Sequence, residues 1–184
     1  MSEQGFQFSL TQEEKDFLKS VVRKSLQEEF SQDIQIPEPP TQKLYEHYGA
    51  FVTLKINAQL RGCIGHLVGD QPAWETVKLM AKQAGFQDPR FPPLSREEME
   101  KVEIEISILS PITECPDTEQ IVPGRHGLVV QRGMHSGLLL PQVATEQGWD
   151  RETFLSQTCL KAGLPPDSWK NKKIDIYWFE AEVF

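Results

Sequence analysis

The chain has 184 residues, 39% hydrophobic and 25% charged, with a formal net charge of −8. That length supports one good core or two small subdomains, and the balance is that of an ordinary globular protein. The acidic charge excludes broad electrostatic binding to nucleic acid or to anionic membrane, and no apolar run approaches a membrane span. With no leader-like N-terminus, the chain reads as cytoplasmic.

The first element is a helix. Thr11 and Glu14 form the S/T-x-x-E pattern that satisfies free backbone donors at a helix start. Phe17, Leu18, Val21, Val22 and Leu26 recur at helical spacing, and the helix is expected to end near Phe30. The proline-rich "SQDIQIPEPPTQ" then reads as an extended connector. Phe51 to Ile56 favour a strand, Asn57-Ala58-Gln59 a turn, and "LRGCIG" (60–65) the second strand of a hairpin.

"DQPAWETVKLMAKQAG" reads as a second helix, with Asp70 as cap, Pro72 in its first turn and Gly85 as stop. Trp74, Val77, Ala81 and Ala84 share one of its faces. Ser95 and Glu98 give another capping box, opening a short helix over about 95–101. In "VEIEISILS", Ile104, Ile106 and Ile108 point inward and Glu103 and Glu105 outward, the pattern of a half-exposed antiparallel strand. "HGLVVQRGMHSGLLLP" is a hairpin turning near Gly133 to Ser136. Asp150 caps a helix to Lys161 that Gly163 closes, with Trp149 stapling onto Phe154. "KIDIYWFEAEVF" is a long strand. Adjacent hairpins with interspersed helices define an α+β fold with a mainly antiparallel sheet. The helix between LRGCIG and the 102–109 strand allows one crossover unit.

"LRGCIG", "QDPRFPPLSREEM", "GRHGL", "LLLPQVATEQGWD" and "LKAGL", in that order, resemble the motifs of the AMMECR-type domain family, whose bacterial and archaeal members are called AmmeMemoRadiSam system protein A. The resemblance covers nearly the whole chain, which is identified as a single AMMECR-type domain over 1–184. It implies an α+β fold in two subdomains sharing an interface. It implies no established activity. The family name implies association with a Memo-like protein and a radical SAM protein.

On a regular strand, Leu60, Gly62 and Ile64 share one face and Arg61, Cys63 and Gly65 the other. Leu60 and Ile64 are expected in the core. The second face carries a guanidinium, a thiol and a bare backbone. A neighbouring arginine favours the thiolate, and glycine admits a substrate close to the backbone. The opposing reading makes Gly62 and Gly65 packing residues at a bulge or crossing, and Cys63 a small buried hydrophobe. In "QDPRF", Arg90 could clamp a carboxylate or phosphate, or Asp88 and Arg90 could pair to hold the loop. In "GRHG", His126 is a candidate general base for Cys63, or a hydrogen-bonded turn residue. Cys159 reads as core, and Cys115 as a loop cysteine. The three cysteines and four histidines show no metal-ligand spacing, and no cofactor is expected.

Two functions follow. The first is an enzyme or enzyme component with catalytic Cys63 and His126 and binding residues Arg61, Gly62, Gly65, Asp88 and Arg90. It would act on a small anionic molecule or on a residue of a partner protein. The second is a non-catalytic adaptor in which LRGCIG shapes a protein-binding groove.

Overall fold

The computed structural model describes residues 9–171 and 173–184. Its described residues divide into two compact units, 9–109 with 182–184, and 110–181.

In the first unit, helix α1 (Gln12–Gln27) starts at the expected capping box: Glu14 N–H donates to Thr11 Oγ1, and Thr11 N–H to the Glu14 carboxylate. The helix ends at Gln27, three residues short of Phe30. Glu14 is buried and also accepts from the Thr41 hydroxyl, so the cap fastens the proline-rich connector to the helix. Strands β1 (Gly49–Ile56) and β2 (Gln59–His66) form the expected hairpin. Its turn is two residues rather than three, since Ile56 pairs with Gln59. Asn57 and Ala58 both take the left-handed conformation, as a tight hairpin turn requires.

Helix α2 (Ala73–Phe86) follows, with Pro72 at its N-cap. Asp70 makes no cap. It lies 3.7 Å from His66 instead. Gly85 lies inside the helix rather than ending it, and a side chain there would strike Leu26 of α1. The short helix α3 (Arg96–Met99) has its capping box at Ser95 and Glu98. Strand β3 (Glu103–Leu109) pairs antiparallel with β1, so β1 lies between β2 and β3. The β2–α2–β3 segment is therefore a crossover that passes over one intervening strand. Leu18, Val22, Leu26, Val52, Leu54, Met80, Ile106 and Ile108 pack between the helices and the sheet.

The second unit pairs β4 (Thr113–Glu114) and β5 (His126–Arg132) with β7 (Asp175–Val183), and β5 with β6 (His135–Leu139). The β5–β6 turn is Gly133-Met134, since Arg132 pairs with His135. Helix α4 (Pro141–Glu146), unexpected from the sequence, is too short to show periodicity. Helix α5 (Arg151–Lys161) is capped by Asp150, whose carboxylate accepts from Thr153 N–H. Phe154, Leu155 and Cys159 are fully buried in this core, with Trp149 packed against it. Cys115 is half-buried, and burial pushes its thiol up. No described helix is long and apolar enough to cross a membrane.

Candidate functional site

The register of the hairpin decides which residues accompany Cys63. Cys63 pairs with Thr53, Gly62 with Leu54, and Leu60 with Lys55. Arg61 is thus an extra residue, a bulge, and it shifts the two-residue alternation. This corrects the simple strand reading. Leu60 does not join Ile64 in the core. It lies 42% exposed, opposite Lys55. Beyond the bulge, Cys63 and Gly65 share a sheet face with Thr53 and Phe51, as Leu54 and Val52 turn inward.

Each glycine of LRGCIG answers to a close approach. A side chain at Gly62 would overlap the Ala84 carbonyl of α2, so helix and strand meet backbone to backbone there. A side chain at Gly65 would overlap the Phe51 ring. The space above Gly65 is therefore filled by an aromatic ring rather than left open.

Asp88 and Arg90 are brought onto Cys63. Cys63 N–H donates to Asp88 Oδ2 at 2.9 Å, and Arg90 Nη2 donates to the Cys63 carbonyl at 3.1 Å. Arg90 Nε and Nη2 also bind the two oxygens of Asp88, at 2.9 and 2.7 Å. Arg90 N–H closes an Asx turn on Asp88 Oδ1 at 3.1 Å. The Asp88 carboxylate is buried, while the Arg90 side chain is 54% exposed. Arg90 above all, with the Cys63 and Arg90 backbone donors, holds the Asp88 carboxyl far below the ordinary range despite its burial. A half-exposed guanidinium is thus fixed on the Cys63 main chain.

Cys63 is partly exposed, and its thiol accepts from the Thr53 hydroxyl at 3.2 Å. Thr53 was not singled out in the sequence, because only the cross-strand register places it there.

Arg61 does not reach the thiol by any described bond. Its Nε and Nη2 each donate to Glu98 at 2.9 Å, and Nη2 also to the Pro93 carbonyl at 3.4 Å. Its Nη1 is buried with no hydrogen-bond partner among the described residues. This pairing holds the Glu98 carboxyl down at about 2. Phe91 lies near both arginines, 5.9 Å from the Arg61 guanidinium and 5.5 Å from that of Arg90. Both arginines are therefore matched by a carboxylate, and the local charge is balanced.

His126 belongs to the second unit. Its Nδ1 accepts from Val122 N–H at 3.0 Å, and its ring lies 4.6 Å from that of Trp178. The ring is buried, and burial, then Arg125, pushes its pKa down, against the pull of Glu180. Arg125 itself pairs with Glu180 at 2.7 Å. An Nδ1 that accepts a hydrogen bond belongs to neutral imidazole. Among the described residues no group of three or more His, Cys, Asp or Glu is arranged to hold a metal.

An α+β chain with its distinctive hexapeptide on a hairpin strand, clamped by an Asp-Pro-Arg loop, is the kind of protein these observations define. The AMMECR1 family profile matches residues 19–184, and the chain belongs to that family. Protein MK0488 of Methanopyrus kandleri is 47% identical over 185 residues, covering 95% of this chain and 89% of its own. Protein NEQ441 of Nanoarchaeum equitans is 46% identical over 159 residues, covering 83% and 88%. The crystal structure of uncharacterized protein PH0010 from Pyrococcus horikoshii superposes with a TM-score of 0.84 at 40% identity, over 96% of this chain and 93% of that one.

Proposed function

We propose that the chain is an enzyme or enzyme component whose working site is the Cys63 thiol beside the outward face of Arg90. One observation carries this reading: buried Asp88 fixes Arg90 on the main chain of partly exposed Cys63 while leaving the arginine side chain 54% exposed. With Nε and Nη2 engaged by Asp88 and the Cys63 carbonyl, the fixed guanidinium presents Nη1 to a single carboxylate or similar small anion. The balanced charge around it favours one such group over a multiply charged ligand. The anion would belong to a small molecule or to a residue of a partner protein, with Cys63 as nucleophile or acceptor. A cytoplasmic setting, where thiols stay reduced, accords with this use. In this reading His126 serves its own unit, since its accepting nitrogen is already committed to Val122.

The test compares alkylation of Cys63 by iodoacetate and by neutral iodoacetamide, in a chain with Cys115→Ser and Cys159→Ser. Arg90 should raise the iodoacetate rate relative to iodoacetamide, and Arg90→Gln should abolish that preference. A Cys63 inert to both reagents in the folded chain, or a ratio unmoved by Arg90→Gln, overturns the reading.

A second reading rests on a different observation: Asp88 and Arg90 hold the main chain of Cys63 rather than its sulfur. In an adaptor the hexapeptide is scaffolding for a protein-binding face. The Memo-like and radical SAM proteins implied by the family name are the partners to try. Cys63→Ala would then retain binding to the purified partner by calorimetry, and its loss counts against the adaptor.

A further inference from the structure

Strand β2 is the outer strand of its sheet, and no described strand pairs with its free side. An outer strand presents N–H and C=O groups that template pairing with another chain. At Cys63 both groups are taken by side chains. Asp88 Oδ2 stands where a neighbouring strand's carbonyl would accept, and Arg90 Nη2 stands where its N–H would donate. Together they reproduce the two bonds of an antiparallel residue pair. The replacement is charged, is held by the bidentate Asp88–Arg90 pair, and is buried on the Asp88 side. Charge-assisted bonds of this kind outcompete the neutral bonds an incoming strand offers, so the pair acts as a stop rather than as a removable latch.

We propose that the Asp88–Arg90 pair is an edge guard, and that the occupant it excludes is the β2 strand of a second copy of this chain. The edge is complementary to itself. Cys63 presents one donor and one acceptor on the same side, and two copies related by a two-fold axis would satisfy each other's. The neighbouring charges are already paired, Arg61 with Glu98 and Lys55 with Glu105, so repulsion between copies would not prevent the pairing. Exposed Leu60 on the same strand would gain cover.

Sedimentation velocity of the full chain tests this. Arg90→Ala frees the Cys63 carbonyl and leaves the buried Asp88 carboxylate with the backbone donors of Cys63 and residue 90. Asp88→Ala combined with Arg90→Ala removes the whole guard without stranding a buried charge. Both variants, checked by circular dichroism, should self-associate more strongly than wild type, the double variant approaching twice the wild-type mass. Adding Leu60→Lys, which places a charge on the edge against which the second copy must lie, should reverse this. The proposal falls if folded Arg90→Ala matches wild type in mass at every concentration, a result that decides the matter even if the double variant does not fold. It falls equally if association persists unchanged in the Leu60→Lys background, since another surface would then be responsible.

Discussion

A hydroxyl that donates to sulfur fixes the direction in which the sulfur's remaining lone pair points. Thr53 holds that position over Cys63. Thr53→Val keeps the shape and removes the donor, and it should slow iodoacetamide alkylation of Cys63 at neutral pH about fivefold, as expected for a bond of about 1 kcal/mol. Thr53→Ser should restore the rate. An unchanged rate in Thr53→Val would mean that the hydroxyl only fills space. The cysteine was visible in the sequence and its partner was not. Residues ten apart on a hairpin meet only in one register, and the bulge at Arg61 changes that register. Asp88 and Arg90 were legible as a rigid pair because proline separates them. Their grip on a main chain twenty-five residues away was not.

The same division holds for the elements. Capping boxes at Thr11 and Ser95 and the cap at Asp150 were readable because they are local and chemically specific. The isoleucine alternation of β3 was readable because one face is core. Helix α4, six residues with no period of its own, was not. Gly62 shows why motif glycines were ambiguous in isolation. It is required by a helix packed against the strand, which no local pattern announces. Gly62→Ala would drive a methyl into the Ala84 carbonyl, with backbone on both sides and nothing soft to yield. It should destabilise the chain by about 1–3 kcal/mol, the usual range for overpacking, measured by urea denaturation. A neutral result would show that α2 shifts freely on β2.

Across the whole molecule, the shifted groups predict a stability plateau with two shoulders. His126 has its pKa pushed below the unfolded value of 6.5, so stability should begin to fall as pH drops below that point. Glu98, at about 2 against 4.5 unfolded, and Asp88, also lowered, add a second loss as pH falls from 4.5 towards 2. Tyr48 runs the other way. Burial, and then its bond to Glu46, raise it to about 12, so its contribution is complete below pH 10 and lost as pH rises towards 12. Thermal melts of wild type and His126→Gln from pH 4.5 to 8 separate the first term. The variant should lose the slope near and below pH 6.5, and an identical slope would assign it elsewhere.

One feature of the chain path constrains how the protein is made. Residues 182–184 belong to the first unit, where Phe184 exchanges backbone bonds of 2.9 and 3.1 Å with Ile106. Glu182 accepts from Leu10 N–H and pairs with Lys15, at 2.9 and 2.8 Å. The second unit is thus an insertion in the first. A nascent chain emerging from the ribosome must complete all of residues 110–181 before the sheet and the first helix receive their closing partners. A chain stopped after Ala181 should therefore lose on the order of 2 kcal/mol from the first unit, read by hydrogen exchange at Ile106 and Leu10. While residues 110–181 are being added, the half-built protein carries an open flank of the kind that chaperones cover.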